Sequence, residues 1–268
     1  IVFHMGAFGA AFATVFSQAV AGIGSLIYLF RHYEELHWSK EEGRLSTTHC
    51  LKLCNMGIPM GLQCSITAIG SVVLQGAVNG LGSDIVAAQT AGSKAAQFLS
   101  VPLESIGTAM TTYASQNIGA HDLKRVDRGV YTALGIGGVY SVASFLILRV
   151  LDKPLIGLFL SGDQGEIMAN AQSFIFWNSV FYIPLAVLII YRYTIQGLGY
   201  SGLAMFAGVA EMIARALVGF LFVPLWNYFA ACIANPVAWI FACAFLIPAY
   251  VAVHRRLLKE KDMGHATI

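Results

Sequence analysis

Long apolar segments alternate with short polar ones along almost the whole chain. At about 1.5 Å of rise per residue, 20 apolar residues in a helix cross the hydrocarbon core of a bilayer. Each apolar segment is close to this length or longer. The pattern predicts an all-α fold, a polytopic transmembrane helix bundle with about seven spans. The predicted spans are residues 2–30, 56–81, 85–120, 129–148, 167–191, 203–224 and 229–253.

One predicted span carries a line of polar side chains with a single carboxylate. At about 100° per residue, these side chains fall within roughly 40° of one line along the helix. We call this set the polar stripe: Ser93, Gln97, Ser100, Glu104, Thr108, Thr111 and Ser115. Unpaired polar groups in hydrocarbon are costly, so the polar stripe must face other helices or water.

Glu104 lies near the middle of that span, two residues after Pro102, which removes a helical hydrogen bond. An acid inside a membrane span is a transport-site hypothesis by default. Glu104, Gln97 and Thr108 are therefore candidate cation- or substrate-binding residues. In the alternative interpretation, Glu104 pairs with a cation on another helix and only holds the bundle together.

Polar residues also recur at every fourth position of the span 56–81, from Gln63 and Thr67 through Gln75 to Asn79. This ridge either joins helices or lines a cavity, and Gln63, Thr67 and Gln75 are further binding candidates. In the span 203–224, Glu211 and Arg215 stand four residues apart. That spacing predicts an intramembrane ion pair, or alternatively an Arg215 that reaches Glu104 or a substrate.

Composition and charge placement agree with a membrane protein. The chain is 57% hydrophobic and 11% charged, whereas about a quarter of the residues of a soluble domain are charged. If the spans alternate, twelve of the sixteen Lys and Arg residues fall on one side. The positive-inside rule then predicts a multi-pass protein of the plasma membrane with the connector after residue 30, the basic loops and the C-terminus in the cytoplasm.

Several chemistries have no sequence support. The chain has no Walker A, HExxH or GxSxG motif, which predicts that it is not an enzyme. Its five cysteines lack the spacing of a zinc site or a disulfide framework, which predicts buried free thiols and no bound metal. Basic residues do not alternate with exposed aromatics, so nucleic-acid binding is not expected.

Four segments, in order, resemble motifs of the multidrug and toxic compound extrusion (MATE) family. The run GIPMGLQCSITAIGSVVLQGAVNGLGS at 57–83 is similar to that family's seventh helix. The sequence SQNIGA at 115–120 resembles that family's GQN-x-GA signature. The sequence YRYTIQGLG at 191–199 resembles its R-x3-QG-x-G element. The pair Glu211-x3-Arg215 is similar to a charged pair of the family in position and residue type. The matching motif positions are Gln116, Asn117, Gly119, Arg192 and Gln196.

The resemblance implies a domain plan. Family members are about twice as long as this chain and have two six-helix lobes around a cleft. Residues 1–30 then correspond to the last transmembrane helix of a truncated N-lobe, 31–55 to the cytoplasmic inter-lobe connector, 56–254 to the six-helix C-lobe and 255–268 to a cytoplasmic basic tail. The chain also starts without Met, so we expect that an N-terminal lobe is missing. The expected partners of the chain are then this missing lobe and the lipid bilayer.

The resemblance also implies secondary active efflux. Small cationic or amphiphilic organic molecules would leave as Na⁺ or H⁺ enters by antiport, while the two lobes rock. Glu104 suits this exchange, with Na⁺ binding possible there, and no cofactor beyond the coupling ion is expected. The acids that other members carry in the seventh and tenth helices are absent, so the coupling acid could instead lie in the missing lobe. The alternatives are a flippase for lipid-linked substrates and a non-transporting half-carrier or structural subunit.

Overall fold

The computed structural model describes residues 6–33, 46–160 and 165–262, and nearly all of these are helical. The predicted all-α fold is confirmed. Residues 1–5, 34–45, 161–164 and 263–268 lie outside the described residues, so the middle of the predicted connector 31–55 is among the residues that are not described. The helices are α1 (Gly6–His32), α2 (Thr47–Asn79), α3 (Ser83–Gly119), α4 (Leu123–Gly157), α5 (Gly165–Val180), α6 (Tyr182–Gly197), α7 (Ser201–Leu217), a π-helical turn (Val218–Phe222) and α8 (Val223–Asp262).

The chain divides into two compact units, residues 1–51 and residues 52–268. In the first unit, α1 is an apolar helix whose only basic side chains are at its end, at Arg31 and His32. The rings of Phe8, Phe12 and Phe16 stack along one face at centroid distances of 6.4 and 6.2 Å. This spacing of four residues places the three rings on a continuous apolar strip suited to lipid or another helix.

Four helical stretches of the described residues are long and apolar enough to cross a membrane, or five if the bent pair α5 and α6 is one span. One of the four runs for 60 residues, from Ser201 to Glu260. Its length of about 90 Å is roughly three times the thickness of a hydrocarbon core. Asn227 interrupts it with φ 49° and ψ −134°, and Arg215 hydrogen-bonds to Asn235 on the far side of that break. The chain therefore folds back, and α7 and α8 are separate spans.

The helix boundaries differ from the predicted ones at two prolines. The predicted span 129–148 is too short, because α4 begins at Leu123 and continues through Pro154 to Gly157. The predicted span 167–191 is not one straight helix, because it breaks at Phe181, three residues before Pro184, where α5 and α6 meet at an angle of 53°. Pro184 then occupies the first turn of α6, where a missing N–H costs little. The cysteine prediction was partly wrong: all are free thiols, but those of α2 are exposed, and only Cys232 and Cys243 are buried.

Helix α3 is the centre of the second unit and packs against α4, α5 and α6. Its contact with α6 is unusually close because glycines stand on both sides. A Cβ atom at Gly107 would lie 2.7 Å from the Ile189 Cγ2, and one at Gly197 would lie 2.4 Å from the Thr111 carbonyl oxygen. Thr111 also donates its hydroxyl to the Tyr193 carbonyl at 3.0 Å. These contacts fix α6 against the polar stripe.

Candidate functional site

Among the described residues, the carboxylate of Glu104 has one direct hydrogen-bond partner, the Tyr193 hydroxyl, which donates to Glu104 Oε2 at 2.8 Å. Glu104 is exposed, and in the described part of the chain it makes no ion pair within 4.0 Å. Arg192 is close enough to interact with it electrostatically without touching it. The predicted contact between Arg215 and Glu104 is not seen. Glu104 therefore keeps an accessible face on the polar stripe.

Glu211 lies in a different environment from Glu104. One carboxylate oxygen of Glu211 forms an ion pair with Arg192 Nη2. The other oxygen forms an ion pair with Arg215 Nη2 at 3.1 Å. Arg192, Glu211 and Arg215 are 9%, 3% and 6% exposed, and we call them the buried charge cluster. With two guanidinium groups and one carboxylate, the cluster carries a formal charge of +1. Nε of Arg192 and Nη1 of Arg215 are buried without a hydrogen-bond partner in the described structure.

A cavity of about 270 Å³ lies between the polar stripe and the helices that face it. Ser93, Gln97 and Ser100 form one wall, and Asn178 and Asn235 contribute amides to the opposite wall. Tyr182 and Trp239 also line the cavity, with ring centroids 6.4 Å apart. A cavity with these amides and aromatic rings can hold a molecule that is part polar and part apolar.

Hydrogen bonds connect this cavity to the buried charge cluster. Arg215 Nε donates to Asn235 Oδ1 at 3.3 Å, and Asn235 Nδ2 donates to Asn178 Oδ1 at 3.2 Å. Asn178 in turn donates to the Cys232 carbonyl at 3.1 Å. Because each amide oxygen accepts from the residue before it, the arginine fixes the orientation of both asparagines.

The candidates on α2 lie apart from the cavity wall. Gln63 is buried and accepts a hydrogen bond of 2.6 Å from Gln196 of α6. A Cβ atom at Gly208 of α7 would be 3.2 Å from the Thr67 hydroxyl, which is buried and has no hydrogen-bond partner in the part of the chain that the structure describes. Gln75 donates to Asn79 on its own helix at 3.0 Å. These contacts favour the helix-joining interpretation of the ridge.

The remaining predicted positions mostly serve helix ends and helix contacts. Asn117 is buried and donates to the Tyr113 carbonyl at 2.7 Å. Gln116 is exposed, and its carbonyl accepts the Ala120 N–H at 3.1 Å at the end of α3. Gly119 is the last residue of that helix. Thr108, although exposed on the polar stripe, donates its hydroxyl to the Ser105 carbonyl at 2.9 Å.

Sequence reasoning missed five residues of this region, among them Tyr182, which lines the cavity beside Trp239. Tyr193 follows Arg192 directly, but nothing in its position marks it as the partner of a glutamate 89 residues away. Asn178 and Asn235 did carry a signal, because an amide in an apolar span usually bonds to a neighbouring helix. Trp239 lies in a fully apolar stretch and carried none. Arg192 was noted as a motif position, but not as a partner of Glu211.

The fold and the site together define a multi-pass α-helical membrane protein with a polar, carboxylate-bearing helix face and a buried charge cluster. Comparison with known proteins assigns the family. The MatE family model matches residues 59–221, more than half of the chain. The chain belongs to the MatE family, as the motifs predicted. Members of this family are transporters and not enzymes.

Among curated proteins, "Probable multidrug resistance protein YpnP" of Bacillus subtilis (strain 168) is 29% identical over 186 residues, which is 68% of this chain and 40% of that protein. The "FAD transporter" of Shewanella oneidensis (strain ATCC 700550 / JCM 31522 / CIP 106686 / LMG 19005 / NCIMB 14063 / MR-1) is 23% identical over 200 residues, 71% of this chain and 43% of that protein. The chain thus matches less than half the length of these relatives.

Solved MATE transporters share the fold. The structure "Crystal structure of MATE in complex with MaL6" has a TM-score of 0.85 at 16% identity, over 97% of this chain and 59% of that one. An outward-facing multidrug resistance MATE family transporter has a TM-score of 0.83 at 17% identity, over 97% of this chain and 58% of that chain. An inward-facing MATE family transporter has a TM-score of 0.69 at 16% identity, over 97% of this chain and 60% of that chain.

Proposed function

We propose that this chain is part of a secondary active exporter in which Glu104 exchanges a coupling cation, Na⁺ or H⁺, for a cationic or amphiphilic organic molecule. The observation that carries the proposal is the difference between the two acids. Glu211 is buried and paired with two arginines, whereas Glu104 is exposed and its one hydrogen-bond donor among the described residues is a neutral hydroxyl. A carboxylate without a fixed cation partner is the one that can take up and release a cation.

The cavity supports the proposed substrate class. It begins at Ser100, one helical turn from Glu104, and combines amides with the rings of Tyr182 and Trp239. Aromatic faces attract organic cations, and apolar surface accepts the rest of an amphiphile. The multidrug resistance named in the curated relatives is consistent with this class.

The whole transporter needs a second lobe for alternating access. We propose that the other lobe lies outside this chain, because the chain matches about three fifths of each solved MATE chain. In that arrangement, residues 56–254 form the C-lobe and residues 31–55 the connector between the lobes. We further propose a plasma-membrane location with the connector, the basic loops and the C-terminal tail in the cytoplasm.

A second candidate function, movement of anionic or lipid-linked substrates, is favoured by the buried charge cluster. The cluster has an excess positive charge and two buried guanidinium nitrogens, Arg192 Nε and Arg215 Nη1, without hydrogen-bond partners among the described residues. Its hydrogen bonds reach the cavity through Asn235. A relative named as an FAD transporter is consistent with an anionic substrate.

The test is dye efflux from cells that express the full-length protein, with Glu104→Gln beside the wild type. Glu166→Gln is the matched control, because Glu166 is exposed in the first turn of α5 and away from the polar stripe. We expect ethidium efflux that stops when ionophores collapse the Na⁺ or H⁺ gradient. Glu104→Gln should reduce it at least tenfold, and the control should keep it.

Unchanged ethidium efflux in Glu104→Gln at equal expression would refute the exchange role of Glu104. An anionic dye such as carboxyfluorescein tests the second candidate in the same cells. Gradient-dependent efflux of that dye without ethidium efflux would favour the anionic substrate class over the cationic one.

A further inference from the structure

A second cavity lies on the other side of α3, between α3 and α4. It has a volume of about 390 Å³, more than twice the roughly 150 Å³ of an apolar protein cavity that accepts benzene. Its wall is mainly apolar, with Ile106, Met110 and Tyr113 from α3 and Ala133 and Ile136 from α4. We call it the α3–α4 groove. It shares no lining residue with the cavity next to the polar stripe.

The groove points away from the polar stripe. Tyr113 follows Glu104 by nine residues, which places it about 180° around the same helix. On the neighbouring surface of α4, Tyr131 and Val139 are each 74% exposed. Large apolar side chains this exposed on a membrane helix are suited to contact with lipid. The groove therefore opens where lipid, rather than transported substrate, has access.

One end of the groove is basic. Arg128 lines it, and Ile136 marks the other end two turns later, about 12 Å along the helix. In the described structure the Arg128 side chain has no hydrogen bond or ion pair, and Lys124 one turn before it is exposed and also unpaired. The groove thus combines an apolar channel with a cationic end, the complement of an anionic phospholipid.

The acids near this basic end are engaged elsewhere. The Asp122 carboxylate caps α4 by accepting the Arg125 N–H at 3.0 Å. Asp127 accepts the Tyr250 hydroxyl at 2.9 Å and contacts His254 at 2.8 Å. Neither acid is therefore paired with Arg128, which leaves the guanidinium available to a phosphate.

We propose that the α3–α4 groove binds an anionic phospholipid, with an acyl chain along Met110 and Ile136 and the headgroup phosphate on Arg128. Tyr113 shapes this site. Its hydroxyl donates to the Arg125 carbonyl at 3.1 Å, and its ring lies so close to Gly129 that a Cβ atom there would be 2.2 Å from Cε1. The ring thus forms the floor of the groove at the basic end.

The test is lipid-dependent thermal stability of the purified full-length protein in detergent. Dioleoylphosphatidylglycerol is titrated against dioleoylphosphatidylcholine, which has the same chains, and against glycerol 3-phosphate, which has no chains. We expect only phosphatidylglycerol to raise the melting temperature at low concentration. Arg128→Gln should weaken the apparent affinity about fivefold, the effect of one basic residue at an anionic membrane surface.

Two further variants separate the site from general charge. Ala109→Phe fills the groove from its exposed α3 side and should abolish the response. Arg255→Gln removes another exposed arginine, near the end of α8, and should keep it. An equal response to phosphatidylcholine, a full response in Arg128→Gln, or an equal response to glycerol 3-phosphate alone would each overturn the proposal. Export activity is not needed for this readout, so its failure is independent of the proposed function.

Discussion

The buried charge cluster makes a prediction about which of its members matters most for stability. Glu211→Gln removes the single carboxylate and leaves Arg192 and Arg215 facing each other in a buried site, with a formal charge of +2. Arg192→Gln removes the excess charge instead and leaves the Glu211–Arg215 pair at 3.1 Å. We therefore expect Glu211→Gln to be the more damaging change, although both replace one charged side chain by one amide.

The magnitudes follow from what each change leaves unpaired. Removing one partner of a buried ion pair costs about 3–5 kcal/mol, because the remaining charge is uncompensated. Arg192→Gln leaves the carboxylate paired with Arg215, so the loss is that of one charge-assisted hydrogen bond, about 1.5–3 kcal/mol. At about 2–4 °C per kcal/mol, the melting temperature should fall by about 10 °C for Glu211→Gln and by about half of that for Arg192→Gln.

The assay is thermal unfolding of the detergent-purified full-length variants. Unfolding is measured as the loss of the monodisperse elution peak after heating. The double variant Arg192→Gln/Glu211→Gln returns the site to a formal charge of +1, so it should be more stable than Glu211→Gln alone. Glu166→Gln again serves as the control and should unfold like the wild type. If Arg192→Gln were the more damaging single change, or if the two losses added in the double variant, the charge argument would be refuted.

Two further changes test the contact of α3 with α6. Gly197→Ala places a methyl group 2.4 Å from the Thr111 carbonyl oxygen. We expect it to destabilise the protein by about 1–3 kcal/mol, measured as a lower melting temperature, and unchanged unfolding would contradict the close approach. Tyr193→Phe removes the 2.8 Å hydrogen bond to Glu104. It should shift the coupling-ion concentration for half-maximal ethidium efflux about threefold to tenfold with little change in unfolding, and an unshifted ion dependence would contradict the contact.

The all-α membrane fold could be predicted from the sequence because hydrophobicity and length are local properties. The polar stripe could be placed on one helix face in the same way, since 100° per residue needs no tertiary information. Glu211 and Arg215 could be paired for the same reason, because they are neighbours on one helix. Each of these predictions uses residues within a single span.

The contacts between spans could not be predicted. Arg192 joins Glu211 across two helices, and Tyr193 reaches Glu104 over 89 positions. Both contacts depend on how α6 crosses its neighbours, and that crossing is set by small residues whose contacts no local pattern reveals. The break at Phe181 shows the same limit, because the nearby Pro184 marks the first turn of a helix rather than its interruption.

In the proposed exporter, Glu104 and Glu211 would have different tasks, and their surroundings supply a physical reason. Releasing Glu211 to bind a coupling ion would expose two buried guanidinium groups to each other, so its ion pairs are tied to the packing of α6, α7 and α8. Glu104 would gain or lose a cation while its neighbours stay in place, because its direct partner among the described residues, the Tyr193 hydroxyl, is neutral and is held by the glycine contacts of α3 with α6. In the proposed exporter, the buried charge cluster would therefore keep the helices of the lobe together as Glu104 changes charge. A Glu211→Gln protein that still folds should thus retain ion dependence, whereas Glu104→Gln should lose it in a protein of normal stability.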